Sequence, residues 1–314
     1  MSQPSFQLGG VDDEREPGLE KDRSWMRQLE MLTAEANTIR EKDKVLIKGL
    51  FQSFYGKKLD VGIGFERAYG SILSGDHFEL IKLPDGNYLF VFADISGHGL
   101  PAYTTLVRLR SAITISIGEA KRIHDRAGTV NTDFLVKDIS AKFTDIMEEA
   151  NSHDFATVLF TFIYNDGDKY HLRFYNRSML FPIIMRKYQK RVVGMYDLNN
   201  YEKGWIPRKG YLMSGDVRIL TGEQYLTTPP CEFTLYEGDS ILYFSDGIVE
   251  AYNKELHTDD FGVERIKRVL MDNVNLMPQF IVQELFASVY KYLGSPMHQK
   301  DDMTAVLIDF PPVR

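Results

Sequence analysis

The sequence predicts an α+β domain built in layers, with sheets of antiparallel strands in contact with flanking helix pairs. Three observations carry this. Apolar runs of strand length are joined by turns rich in Gly, Asp and Asn, as in hairpins. Segments of helical periodicity stand in groups apart from those runs instead of alternating with them one for one. The chain has 314 residues, 44% hydrophobic and 26% charged, enough to bury a core without disulfides or a structural zinc, and Cys231 is its one cysteine.

Residues 1–23 are polar and acidic: Asp12, Asp13, Glu14, Glu16, Glu20 and Asp22 face three cations. Such a segment cannot bury a core, so a disordered tail is expected, with a docking motif as the functional alternative. Residues 24–55 read as a helical arm. In it Trp25, Leu29, Leu32, Ala36, Ile39, Asp43, Leu46 and Leu50 step by 4, 3, 4, 3, 4, 3 and 4, the spacing of a coiled-coil seam. Seven of these eight stations are apolar, while Asp43 would repel its own copy across a parallel seam. Two readings stay open: a homodimer through residues 25–54, or a helix packed on the domain that follows.

That domain is expected over 56–314. Strands start near Val61. Pro84-Asp85-Gly86-Asn87 is a hairpin turn between two apolar runs, and Tyr88 to Ala93 is a buried strand. Pro101 opens a helix with Ala102, Leu106, Leu109, Ile113 and Ile117 on one face. A second helix carries Ile139, Phe143, Ile146 and Ala150. Strands over 155–164 and 169–175 turn at Asp166-Gly167. Residues 176–235 read as irregular and strand-like. Ser240 to Phe244 is a further buried strand, two helices follow over about 263–271 and 279–293, and Thr304 to Phe310 is the last strand.

Charge and hydropathy narrow the function. A net charge of −7 and a pI near 5.6 argue against electrostatic nucleic-acid binding. The longest near-apolar run, Phe155 to Tyr164, is about half a membrane span. The opening Met-Ser-Gln-Pro-Ser lacks the basic and apolar regions of a secretory signal, so a cytoplasmic setting is expected.

Several carboxylates stand at the ends of strands. Asp94 directly follows Tyr-Leu-Phe-Val-Phe-Ala, Asp246 follows Ser-Ile-Leu-Tyr-Phe-Ser, Asp301 and Asp302 precede the last strand, and Asp76 precedes His-Phe-Glu-Leu-Ile-Lys-Leu. Most Gly-Asp pairs are turns, and these four positions would converge only if the strand ends share one rim. Like charges brought that close need protons or cations, and hard divalent ions with oxygen ligands answer best. In Asp94-Ile-Ser-Gly-His-Gly99-Leu-Pro101 a buried strand ends on a carboxylate, two glycines allow a tight turn, and a helix begins. A helix N-terminus offers unpaired N–H groups to anions.

The same segment resembles the D-[VI]-S-G-H-G motif of SpoIIE/RsbU-type serine phosphatases, in the metal-dependent (PPM, phosphatase 2C-like) superfamily. Ser74-Gly75-Asp76 resembles that family's G-G-D. Ser245-Asp246-Gly247-Ile-Val-Glu250-Ala251 resembles [ST]-D-G-[IV]-x-E-A and is followed by Phe261-Gly262-Val-Glu264-Arg265, like F-G-x-E-R. Asp301-Asp302-Met303-Thr304 resembles D-D-x-T. Four motifs agree in order over about residues 45–310. The resemblance implies an α-β-β-α sandwich of two antiparallel sheets between helix pairs. It also implies a pair of Mn²⁺ or Mg²⁺ ions at one edge, bridged by Asp94 and bound by the backbone carbonyl of Ile95 and by Asp76, Asp246 and Asp301. It implies a phosphorylated protein substrate, most often a STAS-domain antagonist of an anti-sigma factor, hydrolysed by water made nucleophilic between two metals. His98 is a candidate proton donor or a residue that packs the loop.

Ser74, His77 and Glu79 depart from the family pattern, as does Asn176-Arg177-Ser178-Met-Leu-Phe181-Pro182 where A-G-H-x-P-P is usual, and residues 187–235 are long. A regulator that binds a phosphoprotein without cleaving it is the rival reading. Other phosphatase chemistries lack their residues: Cys231 is followed by Glu237 where C-x₅-R needs arginine, and no G-x-S-x-G is present. The arm generates one prediction. Polar replacement of Leu32, Ile39 and Leu46 should alter turnover or the dimer fraction seen by light scattering; neither changing would refute a regulatory arm.

Overall fold

Residues 88–95 read Tyr-Leu-Phe-Val-Phe-Ala-Asp-Ile, and a strand with apolar side chains on both faces needs cover on both. The computed structural model, which describes residues 59–166, 169–194, 210–226 and 229–310, supplies that cover. In β3 (Tyr88–Ile95), Tyr88, Phe90 and Phe92 face a core between two sheets, while Leu89, Val91, Ala93 and Ile95 face a helix pair.

The remaining strands are β1 (Asp60–Glu66), β2 (His77–Lys82), β4 (Phe155–Asn165), β5 (Tyr170–Arg177), β6 (Ile183–Arg186), β7 (Arg191–Gly194), β8 (Met213–Ser214), β9 (Cys231–Leu235), β10 (Asp239–Phe244) and β11 (Met303–Asp309). One sheet runs β1-β11-β10-β6-β7 and the other β2-β3-β4-β5-β9, with β8 added to β4. The pairings between these strands are antiparallel. The helices are α1 (Gly99–Ala127), α2 (Thr132–Glu149), α3 (Val217–Thr221), α4 (Asp246–Val249), α5 (Gly262–Asp272) and α6 (Pro278–Leu293). Leu106, Leu109 and Ile113 of α1 and Leu135, Ile139 and Phe143 of α2 cover the second sheet. Ile266 and Leu270 of α5 and Ile281, Leu285 and Val289 of α6 cover the first. The order of layers is therefore helix pair, sheet, sheet, helix pair, as the sequence implied. No helix among the described residues is long and apolar enough to cross a membrane.

Several boundaries differ from the sequence reading, each for a local reason. Helix α1 begins at Gly99, not Pro101, with His98 at its N-cap. Pro101 still lies in the first turn, where its missing N–H has no intrahelical partner to lose. Helix α2 stops at Glu149, so Ala150 is its exposed C-cap, and Met147 completes the buried stripe. Within 176–235 the expected strand character appears in β6 to β9, and α3 and a 3₁₀ turn over Gly222–Leu226 interrupt it. Val217, Ile219 and Thr221 are β-branched, so composition favoured a strand, and Gly222, with φ of 57°, closes the helix. The tail of residues 1–23 and the arm of 24–55 lie outside the described residues.

Strand β1 lies close against α6. A Cβ on Gly62 would sit 2.2 Å from the carbonyl oxygen of Pro278, and one on Gly64 would sit 2.4 Å from the Phe286 ring. Gly86 has φ of 85° but open space around it. Gly62→Ala should therefore lose about 3 kcal/mol in urea unfolding through overpacking against backbone. Gly86→Ala should lose about 1 kcal/mol through strain alone. Equal losses would show that β1 yields to α6.

Candidate metal and catalytic site

Strand register places the acids. Successive side chains alternate between faces, so Asp94 shares the face of Tyr88, Phe90 and Phe92 and points toward the space between the sheets. Ala93 pairs with His77, which sets Asp76 beside the end of β3. Phe244 pairs with Ala305, which sets Asp246 beside the start of β11 and its Asp301 and Asp302. Four of the site residues expected from the sequence thus stand at one end of the sandwich, with Ile95 closing β3 there.

Their charges interact. Burial pushes the Asp94 carboxyl well above the usual carboxylate range, and the charges of Asp76, Asp246 and Asp301 push it further; Asp94 and Asp246 are within side-chain hydrogen-bond reach. Asp76 is also raised, by burial and then by Asp302 and Asp246, although it accepts a 2.6 Å hydrogen bond from Thr304 Oγ1. Asp301 is raised by burial and by Asp246 and Asp302, while His98 draws it down. Among the described residues no lysine or arginine pairs with any of these acids. Nor do three His, Cys, Asp or Glu side chains among the described residues already enclose an ion position. The donors are oxygens with mutually repelling charge. They fit hard divalent ions that keep several waters and use few carboxylates, and not a soft or tightly caged metal.

The backbone brings these groups close through two glycines. A Cβ on Gly75 would lie 2.9 Å from the Ile95 carbonyl oxygen, and one on Gly247 would lie 2.1 Å from the Asp302 carbonyl oxygen. These Gly-Asp and Asp-Gly pairs are therefore close approaches as well as turns. Asp302 is a positioning residue that the sequence reading left without a role. Its two carboxylate oxygens accept from the N–H groups of Ala68 and Gly75, both at 2.9 Å, which fastens the loop carrying Asp76 to the start of β11. The signal available was its place in D-D-x-T, where only the first acid was given a ligand role.

The departures from the family pattern are accommodated. Ser74 is fully buried, and its Oγ accepts the Asp76 N–H at 3.0 Å. His77 Nε2 lies 3.3 Å from Glu79. Burial raises Glu79, but its hydrogen bond to His77 and the charges of His77 and Arg110 bring it below the usual range. Asn176 and Arg177 are buried at the end of β5, and Asn176 Nδ2 donates to the Met179 carbonyl at 3.0 Å. His98 is exposed at the start of α1, with Nδ1 3.0 Å from Ser71 Oγ and close enough to Asp301 to act on its charge.

Known proteins share this frame. The SiaA-PP2C domain of Pseudomonas aeruginosa superposes with a TM-score of 0.65 at 14% identity, covering 92% of this chain and 98% of that one. The phosphatase domain and regulatory fragment of SpoIIE from Bacillus subtilis gives 0.55 at 15% identity, covering 81% of this chain and 63% of that one. The RsbU and RsbW domains of a Mycobacterium tuberculosis protein give 0.52 at 16% identity, covering 81% of this chain and 60% of that one. At such identities these likenesses speak for the fold alone. Among curated proteins the sequence finds no match. The family model of stage II sporulation protein E matches residues 84–198 and 212–311, more than half of the chain, and the chain belongs to the SpoIIE family of PPM-type serine phosphatase domains.

Proposed function

We propose that the chain is a metal-dependent protein phosphatase that removes phosphate from a serine or threonine of a bacterial regulatory protein, with a STAS-domain protein as the expected substrate. One observation carries the reading: Asp76, Asp94, Asp246 and Asp301 meet at one end of the sandwich, and among the described residues no lysine or arginine pairs with them. A Mn²⁺ or Mg²⁺ pair held by these acids and the Ile95 carbonyl would supply a nucleophile from water at neutral pH and a clamp for phosphate oxygens. Asp302 and Ser74 hold the Asp76 loop in place for it. His98, oriented by Ser71, would donate a proton to the departing serine oxygen. The N-terminus of α1 presents N–H groups toward the same end of the fold.

The rival, a regulator that binds a phosphoprotein without cleaving it, draws on the open arrangement of the acids among the described residues. Hydrolysis decides between them. With Mn²⁺ the protein should cleave p-nitrophenyl phosphate, and Asp94→Asn or Asp246→Asn should lower the rate more than about a hundredfold. A phosphoprotein from the same cell should be dephosphorylated by the parent chain and not by Asp94→Asn. Calorimetric Mn²⁺ binding without any turnover would favour the regulator.

The raised carboxyls give a pH signature. In metal-free protein, folded Asp76 and Asp94 hold protons that the unfolded chain has released. Stability is then greatest near the ordinary carboxylate range, about pH 4, and falls as pH rises toward the raised values. In EDTA, the melting temperature should fall as pH rises above the ordinary carboxylate range, about pH 4, and less steeply in Asp94→Asn. Added Mn²⁺ should recover the loss. A flat profile would show that the acids do not repel as described.

A further inference from the structure

Next to the acid cluster lies a recess of about 250 Å³ that shares Gly247 and Asp301 with it. Ala251 and Leu293 form a buried apolar part of its lining, and Glu250 and Asp260 are exposed beside them. His298 also lines it. Its Nδ1 is 2.9 Å from the Leu293 carbonyl, which can only accept, so Nδ1 carries the hydrogen and the neutral ring offers Nε2 as an acceptor. Lys300 is the cation among the lining residues, and Glu250 and Asp260 outnumber it before Asp301 is considered.

Both acids are held by the fold. The N–H of Glu250 donates to the Asp246 carbonyl at 2.7 Å, so its backbone is set by the turn that carries the candidate ligand. Arg265 donates to the carbonyls of Asp260 and Phe261, at 2.9 and 2.8 Å, and pairs with Asp259 at 3.0 Å. The same guanidinium lies 4.7 Å from the Tyr292 ring, which stacks on His257 at 3.7 Å. The turn bearing Asp260 is thus clamped, while Arg265 spends its pairing on Asp259. Among the described residues Glu250 has no ion-pair partner.

We propose that this recess receives the side chain of a lysine or arginine close in sequence to the phosphorylated residue of the protein substrate. An apolar wall with acids beside it matches such a side chain, whose stem packs on apolar surface while its head stays charged. Glu250, Asp260 and the His298 Nε2 accept hydrogen bonds from that head, and Ala251 and Leu293 cover the stem. The shared Gly247 and Asp301 limit the spacing to a few residues of extended chain. The inference rests on the phosphatase reading and adds a specificity determinant to it.

The test uses the full chain with Mn²⁺ and one phosphoserine peptide carrying Arg, Ala or Glu at each flanking position within about three residues. At one or more positions Arg should raise kcat/KM about tenfold over Ala, and Glu should lower it. Glu250→Gln and Asp260→Asn should each shrink that preference, and the double variant should abolish it. Hydrolysis of p-nitrophenyl phosphate, which has no flanking residue, should stay at the parent rate. Peptide hydrolysis without an Arg preference, or a preference that survives the double variant, overturns the proposal. So does a double variant whose only change is a higher Mn²⁺ requirement, which would assign the acids to the metal site. If the parent chain hydrolyses nothing, the phosphatase reading fails. Fluorescence anisotropy then decides the recess separately: tighter binding of the Arg peptide that depends on Glu250 supports it, and equal binding of all peptides overturns it.

Discussion

Repulsion among carboxylates in a poorly solvated space is the constraint around which this end of the molecule is organised. Each acid ends or precedes a strand whose apolar residues are buried between the sheets or beneath the helices. The position of the acids is therefore set by packing that they do not themselves contribute to. Moving Asp94 away from Asp76 would require β3 to slip against β2, and a slip of one residue would turn Asp94 from the space between the sheets toward the helix pair. The sandwich thus holds together a group of charges that would separate if free, with Asp76 buried, Asp94 and Asp246 half-buried and Asp301 at the exposed rim.

Three smaller devices refine that placement. Gly75 and Gly247 let backbone pass where a methyl group would collide with a carbonyl oxygen. Asp302 spends both carboxylate oxygens on backbone N–H groups, so it is already engaged by the protein and suited to fixing a loop. Ser74 stands where the family has glycine, yet it holds the Asp76 N–H from a fully buried position. A substitution that looks like erosion of a motif in the sequence has a supporting contact in the fold.

Much of the layering was legible because the strands are apolar enough to mark themselves. Tyr88 to Ile95 shows both of its covers in the residues alone, and the turn at Asp85-Gly86 fixes its partner. The acids could be named as strand-end residues, but their convergence depended on pairings hundreds of residues apart, such as Gly75 with Asp302, which no local pattern encodes. Helix α3 is not legible because Val217, Ile219 and Thr221 favour strands; in the fold Val217 is buried and Arg218 pairs with Asp145 and Glu148 of α2. The position of Asp302 in D-D-x-T was visible while its role was not, since nothing in spacing distinguishes a carboxylate that faces backbone from one that faces a cation.

Strand β11 lies between β1 and β10 in its sheet, although it is the last strand in order among the described residues. A growing polypeptide would therefore have nearly all of the described residues, both helix pairs included, made before this strand could insert between β1 and β10. Until then β1 has no neighbour, and the loop of Asp76 has no Asp302 to grip it. Assembly of the acid cluster is thereby postponed to a late step of folding, which is expected to be slow because its contacts span most of the described residues. A ribosome-bound or prematurely terminated product would carry most of the motif residues and still lack the assembled cluster of acids.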